Sequence, residues 1–268
     1  MKKNIINSIL LLSLIVLFES CALLTAAGLS SQGQPVKEVT PPLTSTTANS
    51  EVNVDHSDWD ALLKKHVDEA GLVDYNGFKN DKAALNDYLN KLSQLTPTKK
   101  WSVQELLAYY INLYNAYTVD LIIDNYPVKS IKDIDGPWTK AIVPIGSKTL
   151  SLGGIENGVL RKMDEPRIHF AINCASISCP KLLREAFTAA KINEQLDKAA
   201  REFINSDKND ISQNNPKVSS IFDWYKKDYT VNGNQDVIGY INQYSDTKIN
   251  KTATLSFKEY NWNLNEKE

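Results

Sequence analysis

The stretch SVQELLAYYINLYNAYTVDLIIDNYP, residues 102–127, constrains the fold more than any other part of the chain. Ser102 with Glu105 three residues on is an N-terminal capping pattern, and Pro127 cannot continue a helix. Between them Leu106, Leu107, Tyr110, Leu113, Tyr114, Tyr117, Leu121 and Ile122 form an apolar face, and further apolar residues occupy the rest of the circumference. A helix that is apolar all round is buried, so the remaining chain must wrap this one. Asn112 and Asn115 interrupt it one turn apart on a shared face. Asparagine competes with helical backbone bonding and needs a reason to be there. It either satisfies nearby loop backbone or orients a reactive side chain or substrate.

The chain has 268 residues, 42% hydrophobic and 23% charged. Its two ends read differently from its middle. Lys2 and Lys3 precede an apolar run, Ile5 to Phe18, too short for the roughly 20 residues of a membrane span and suited to an export signal. Residues 1–27 are therefore expected to be a signal peptide or membrane anchor. Residues 28–50, rich in Ser, Thr and Pro, are expected to be a disordered tether. Residues 51–268 are expected to form a single domain. Its net charge of −2 and pI near 6.0 give no footprint for nucleic acid. The expected partners are a membrane, reached through the N-terminal lipid or anchor, and a small-molecule or peptide substrate.

Periodicity predicts further amphipathic helices in SDWDALLKKHVD, DKAALNDYLNKLSQL and TAAKINEQLDKAAREFIN, the last capped by Thr188. KAIVPIG and KTLSL read as a hairpin turning at Gly146-Ser147, and Ser151 caps a short helix carrying Glu156. Arg167 to Cys174 reads as a strand, and PKLLREAF as a helix starting at Pro180. The expected class is α+β, a helical bulk packed on a small, mostly antiparallel sheet.

Chemistry concentrates in HFAINCASISCP, residues 169–180, which holds one of three histidines and two of three cysteines. A thiol nucleophile needs a base or a positive field. His169 is the base most plausibly in reach; His56 and His66 lie on or before a helix far upstream. In a strand, Ile168, Phe170, Ile172 and Cys174 point one way and Arg167, His169, Ala171 and Asn173 the other. That alternation separates His169 from Cys174. It makes Cys174 the core residue and Cys179, at a helix start, the better nucleophile. Three readings stand: a thiol site with His169, a Cys174–Cys179 disulfide, or two inert buried thiols. Scattered histidines do not supply a zinc ligand set, and no cofactor-binding motif is present.

YYINLYNAYTVDLIIDNYPVKSI, LSLGGIENGVLR, EPRIHFAINCASISCPKL and NWNLN, taken together, resemble the domain of unknown function 547 family. The resemblance runs from about Tyr75 to Leu264. It implies a constellation of Asn112, Asn115, Glu156, Arg167, His169, Cys174, Ser176, Cys179 and Pro180, with Arg167 and Ser176 as substrate-binding candidates, and no established reaction. Glu165 stands where the family pattern prefers Asp. The signal region resembles a bacterial lipoprotein signal in which Cys21 is lipidated. A histidine-bearing strand behind a long helix is also similar, at fold level only, to papain-like and transglutaminase-like folds. Two functions are expected as alternatives. One is an exported cysteine-dependent hydrolase or acyltransferase using Cys179 or Cys174 with His169, and Asn112, Asn115 or Glu156 as orienters. The other is a non-catalytic envelope scaffold with a Cys174–Cys179 disulfide.

Overall fold

The computed structural model describes residues 29–267. The expected export segment and Cys21 lie outside the described residues. The elements run α1 (Ser57–His66), α2 (Tyr75–Asn80), α3 (Lys82–Ser93) and α4 (Val103–Asn125), then the hairpin strands β1 (Val143–Ile145) and β2 (Lys148–Leu150). A π-helical turn (Gly154–Val159) and two 3-10 helices (Leu160–Met163 and Pro166–Phe170) follow. The chain closes with α5 (Ile192–Ile204), β3 (Lys217–Val218), α6 (Ile221–Trp224), β4 (Thr230–Val231), β5 (Asn234–Gln235), α7 (Val237–Tyr244) and β6 (Ser256–Phe257).

The class is α+β, as expected. Helix α4 is the central rod: the Ser102 hydroxyl accepts from the Glu105 amide, and residues 104–119 are buried without interruption. Glu105 joins the cap by accepting the Val54 amide at 2.9 Å. Helices α2 and α3 pack on α4, and α1 packs on α2 and α3, with Trp59 stacked on Tyr88 at 5.9 Å. The sheet is smaller than a helix-on-sheet layer requires. Among the described residues the strands form three two-stranded pieces: β1–β2 and β4–β5 antiparallel, β3–β6 parallel. Burying each large apolar side chain contributes about 1.5–3 kcal/mol, so the helical core carries the fold.

Two apolar cores result. The larger surrounds α4, and the smaller joins Phe170, Phe203, Phe222, Tyr229 and Tyr240. The 3-10 helix Pro166–Phe170 spans both, with Ile168 in the first and Phe170 in the second. His169 therefore sits at their junction.

The expected disordered tether is different. Residues 29–50 lie along the domain as an irregular strap. Val39 and Leu43 are buried, the Val39 amide donates to Met163 O at 2.7 Å, and the Gln104 side-chain amide donates to Thr44 O at 2.9 Å. A few apolar anchors in a polar segment suffice once the domain supplies a groove; composition averaged over the segment hides them. The expected strand over residues 167–174 is also absent. Glu165 caps the 3-10 helix, accepting the Arg167 amide, with Pro166 at its first turn. Arg167, Ile168, His169 and Phe170 are all buried, so no alternation exists to separate faces. Residues 180–187 form no helix, and α5 begins at Ile192 rather than behind Thr188.

Candidate functional site

The local backbone around Cys174 is fixed from three directions. From α4, Asn115 donates to Ala171 O at 3.0 Å and accepts the Asn173 amide at 2.8 Å. Asn173 in turn accepts the Ala175 amide at 2.8 Å and donates to Pro180 O at 2.7 Å, closing the loop on itself. The C-terminal segment covers it: the Ile177 amide donates to Asn263 O, the Ser178 amide to Asn261 O and the Asn265 amide to Ala175 O. Held this way, Ala175 takes φ +57°, a left-handed conformation costly for a residue with a Cβ. Such strain persists only where surroundings over-determine it, and it collects at functional sites. Asn112 performs the same clamping at Phe187, donating to its carbonyl at 2.7 Å and accepting its amide at 3.0 Å. Both asparagines hold loop backbone; neither reaches the cleft.

The two cysteines are free thiols with sulfurs 3.1 Å apart. Their environments reverse the sequence assignment. Cys179 is 4% exposed, has no helix behind it, and burial pushes its thiol well above the usual range. Cys174 is partly exposed. Its Sγ lies 3.2 Å from both Tyr260 Oη and Ser176 Oγ, and Ser176 donates to Tyr260 at 3.1 Å. Hydrogen bonding with Cys179, and then with Ser176 and Tyr260, outweighs burial and holds the Cys174 thiol below its ordinary value. Ser176 is itself buried and is not among the residues that line the cleft beside the thiols.

His169 and both thiols line one cleft of about 330 Å³, with Glu156, Trp138, Trp224, Tyr225, Tyr260 and Trp262 among its walls. His169 Nε2 lies 2.8 Å from Asp228 Oδ2. Arg161 grips the same carboxylate through Nε and an Nη at 2.6 and 2.8 Å. Burial opposes charge on Asp228, but Arg161 and His169 outweigh it and hold the carboxyl below the usual carboxylate range. The imidazole stacks on Tyr225 at 4.0 Å, and Tyr225 donates to Glu156 at 2.6 Å. His169 Nδ1 is buried without a partner. Among the described residues, no hydrogen bond joins the ring to either sulfur.

Glu156 reaches the cleft from the π-helical turn, at whose start the Ser151 hydroxyl accepts the Gly154 amide at 2.9 Å. π turns recur at functional sites. Arg167 does not reach the cleft. It pairs with Glu165 at 2.6 Å and with Asn193 and Asp197 on α5, a structural anchor for the 3-10 helix. His56 and His66 are also elsewhere, against Tyr88 and Asp81. Asp228, Arg161 and Tyr260 escaped the sequence reading. Asp228 follows Lys226-Lys227 in a segment with no local motif, and only the fold brings it 59 residues back to His169.

Fold and site define an α+β domain with a strained loop presenting a thiol pair to an aromatic cleft, beside a carboxylate-held histidine. Residues 98–204 match the family model described as "Protein of unknown function, DUF547", which supports the family resemblance over α4, the hairpin and the thiol loop. No curated protein and no solved structure matches the chain.

Proposed function

We propose that the domain is a cysteine-dependent hydrolase or acyltransferase with Cys174 as nucleophile. The observation that carries this is the partly exposed Cys174, which lines a cleft shared with His169 while Cys179, Ser176 and Tyr260 surround its sulfur. These contacts favour the thiolate, which is the attacking species. His169 is the proton carrier. Asp228 occupies Nε2, leaving Nδ1 to give a proton to a leaving group, the division of roles of a nucleophile–base–orienter triad. The absence of a thiol–imidazole bond in the free protein is compatible with this, since such contacts tighten when substrate binds. Glu156 and Tyr225 line the substrate side.

The first 27 residues support a second part of the proposal: export and attachment to a membrane, through Cys21 or an uncleaved anchor. No helix among the described residues is long and apolar enough to cross a membrane.

A chromogenic ester such as p-nitrophenyl acetate tests the chemistry. The expected result is a transient acetyl adduct on Cys174, mapped by peptide mass spectrometry. The adduct is lost in C174A, and its turnover slows at least about a hundredfold in H169A, within the usual range for a general acid–base group. Acetylation at Cys179, or turnover indifferent to C174A, overturns the proposal.

A further inference from the structure

We propose that Cys174 and Cys179 also act as an attacking and a resolving thiol in exchange with small disulfides. The arrangement has the parts this chemistry needs. Both cysteines line the cleft, Cys174 partly exposed and Cys179 buried, with their sulfurs already 3.1 Å apart. The Cys174 amide donates to Cys179 Sγ at 3.0 Å, fixing the inner sulfur toward its partner. Asn173 ties the two ends of the loop together through Pro180 O, so the sulfurs are held close by the backbone and not by a chance rotamer.

In the first step the Cys174 thiolate attacks one sulfur of a disulfide RSSR. A Cys174–S–SR bond forms, the S–S bond of RSSR breaks, and RS⁻ leaves and is protonated from solvent. In the second step Cys179 loses its proton to solvent and attacks Cys174 Sγ. The Cys174–Cys179 disulfide forms, the mixed disulfide breaks, and the second RS⁻ leaves to be protonated. The protein dithiol is oxidised by two electrons and RSSR is reduced to two RSH. The carrier of the first step is the outer thiol; without the inner one the reaction stops at the mixed disulfide.

This activity needs neither His169 nor an acyl substrate, so it stands or falls apart from the hydrolase reading. It also bears on it, because the closed disulfide takes the nucleophile away. Reversible closure would make the acyl chemistry respond to the thiol–disulfide poise of the compartment.

The test uses the full chain carrying C21S, reduced and then exposed to glutathione disulfide, with intact and peptide mass spectrometry. The expected product is the internal disulfide, with two glutathiones released and no lasting adduct. C179S is expected to accumulate one glutathione on Cys174, and C174S to react at least about tenfold more slowly than C179S, because its remaining thiol is buried and un-ionised. H169A is expected to exchange at the unaltered rate while losing ester turnover. A stable glutathione adduct with both thiols present, a C179S protein that stays unmodified, or equal rates for C174S and C179S each overturn the proposal.

Discussion

At the scale of single residues, the site turns on which of two cysteines carries the charge. The sequence alone favours Cys179, because strand alternation and a proline-started helix both point to it. Neither element forms. With Pro166 and Glu165 starting a 3-10 helix, residues 167–170 are buried on every side, and His169 and Cys174 come to one cleft. The thiolate is then supported by Cys179 and Ser176 from its own loop and by Tyr260, 86 residues downstream, which no local pattern reveals. Tyr260→Phe is therefore expected to slow alkylation of Cys174 at neutral pH by about tenfold, the effect of losing a hydrogen bond to a charged group worth about 1.5 kcal/mol. Iodoacetamide kinetics against wild type check it; an unchanged rate would mean that Tyr260 does not share the thiolate.

At the scale of elements, α4 was legible from its first reading: cap, length, all-round burial and both interior asparagines. The structure decides between the two roles those asparagines could have. Each clamps a loop through one carbonyl and one amide. Asn115→Ala strands two buried backbone groups at about 1–3 kcal/mol each. A loss of roughly 2–4 kcal/mol in unfolding free energy is expected, seen as a lower urea midpoint. Asn112→Ala is expected to cost a similar amount while leaving Cys174 reactivity closer to wild type, because its loop is at Phe187. The strap over residues 29–50 was not legible, since four or five apolar residues in a polar run carry no period. Its path depends on Gly158, where an added Cβ would lie 2.5 Å from Ser31 N and 2.8 Å from Ser30 C. Gly158→Val is expected to release residues 29–33, read as faster amide exchange there with the domain core protected. Unaltered exchange would show that the strap is not held by that contact.

For the whole molecule, the α+β class followed from the order of helices and hairpin, but the single sheet did not. Its strands are short pieces pinned by loops and by the C-terminal segment, and such pairings leave little trace in sequence. The two-core arrangement was equally hidden, because Phe170, Phe203, Phe222 and Tyr229 come from separate helices and loops. Acid sensitivity is a property of this packing. His56, buried against Tyr88, is held down to about 4 by burial and by the nearby Lys91 charge. An unfolded histidine takes its proton near pH 6.5. The folded state resists that proton, so stability is full above about pH 6.5 and falls as pH drops toward 4, by about 3 kcal/mol. His56→Gln is expected to flatten that limb of a thermal-melting profile; an equally steep fall would place the acid sensitivity elsewhere.

The central claim is that Cys174, not Cys179, is the reactive thiol of the cleft. Alkylation of the C21S chain with iodoacetamide across pH, with peptide mapping of each cysteine, tests it most directly. The account predicts that Cys174 labels first and that its rate rises with pH through a midpoint below the ordinary thiol value of about 8.5. Cys179 should remain unlabelled until the protein is unfolded. Preferential labelling of Cys179, or a Cys174 midpoint at or above the ordinary value, would contradict it.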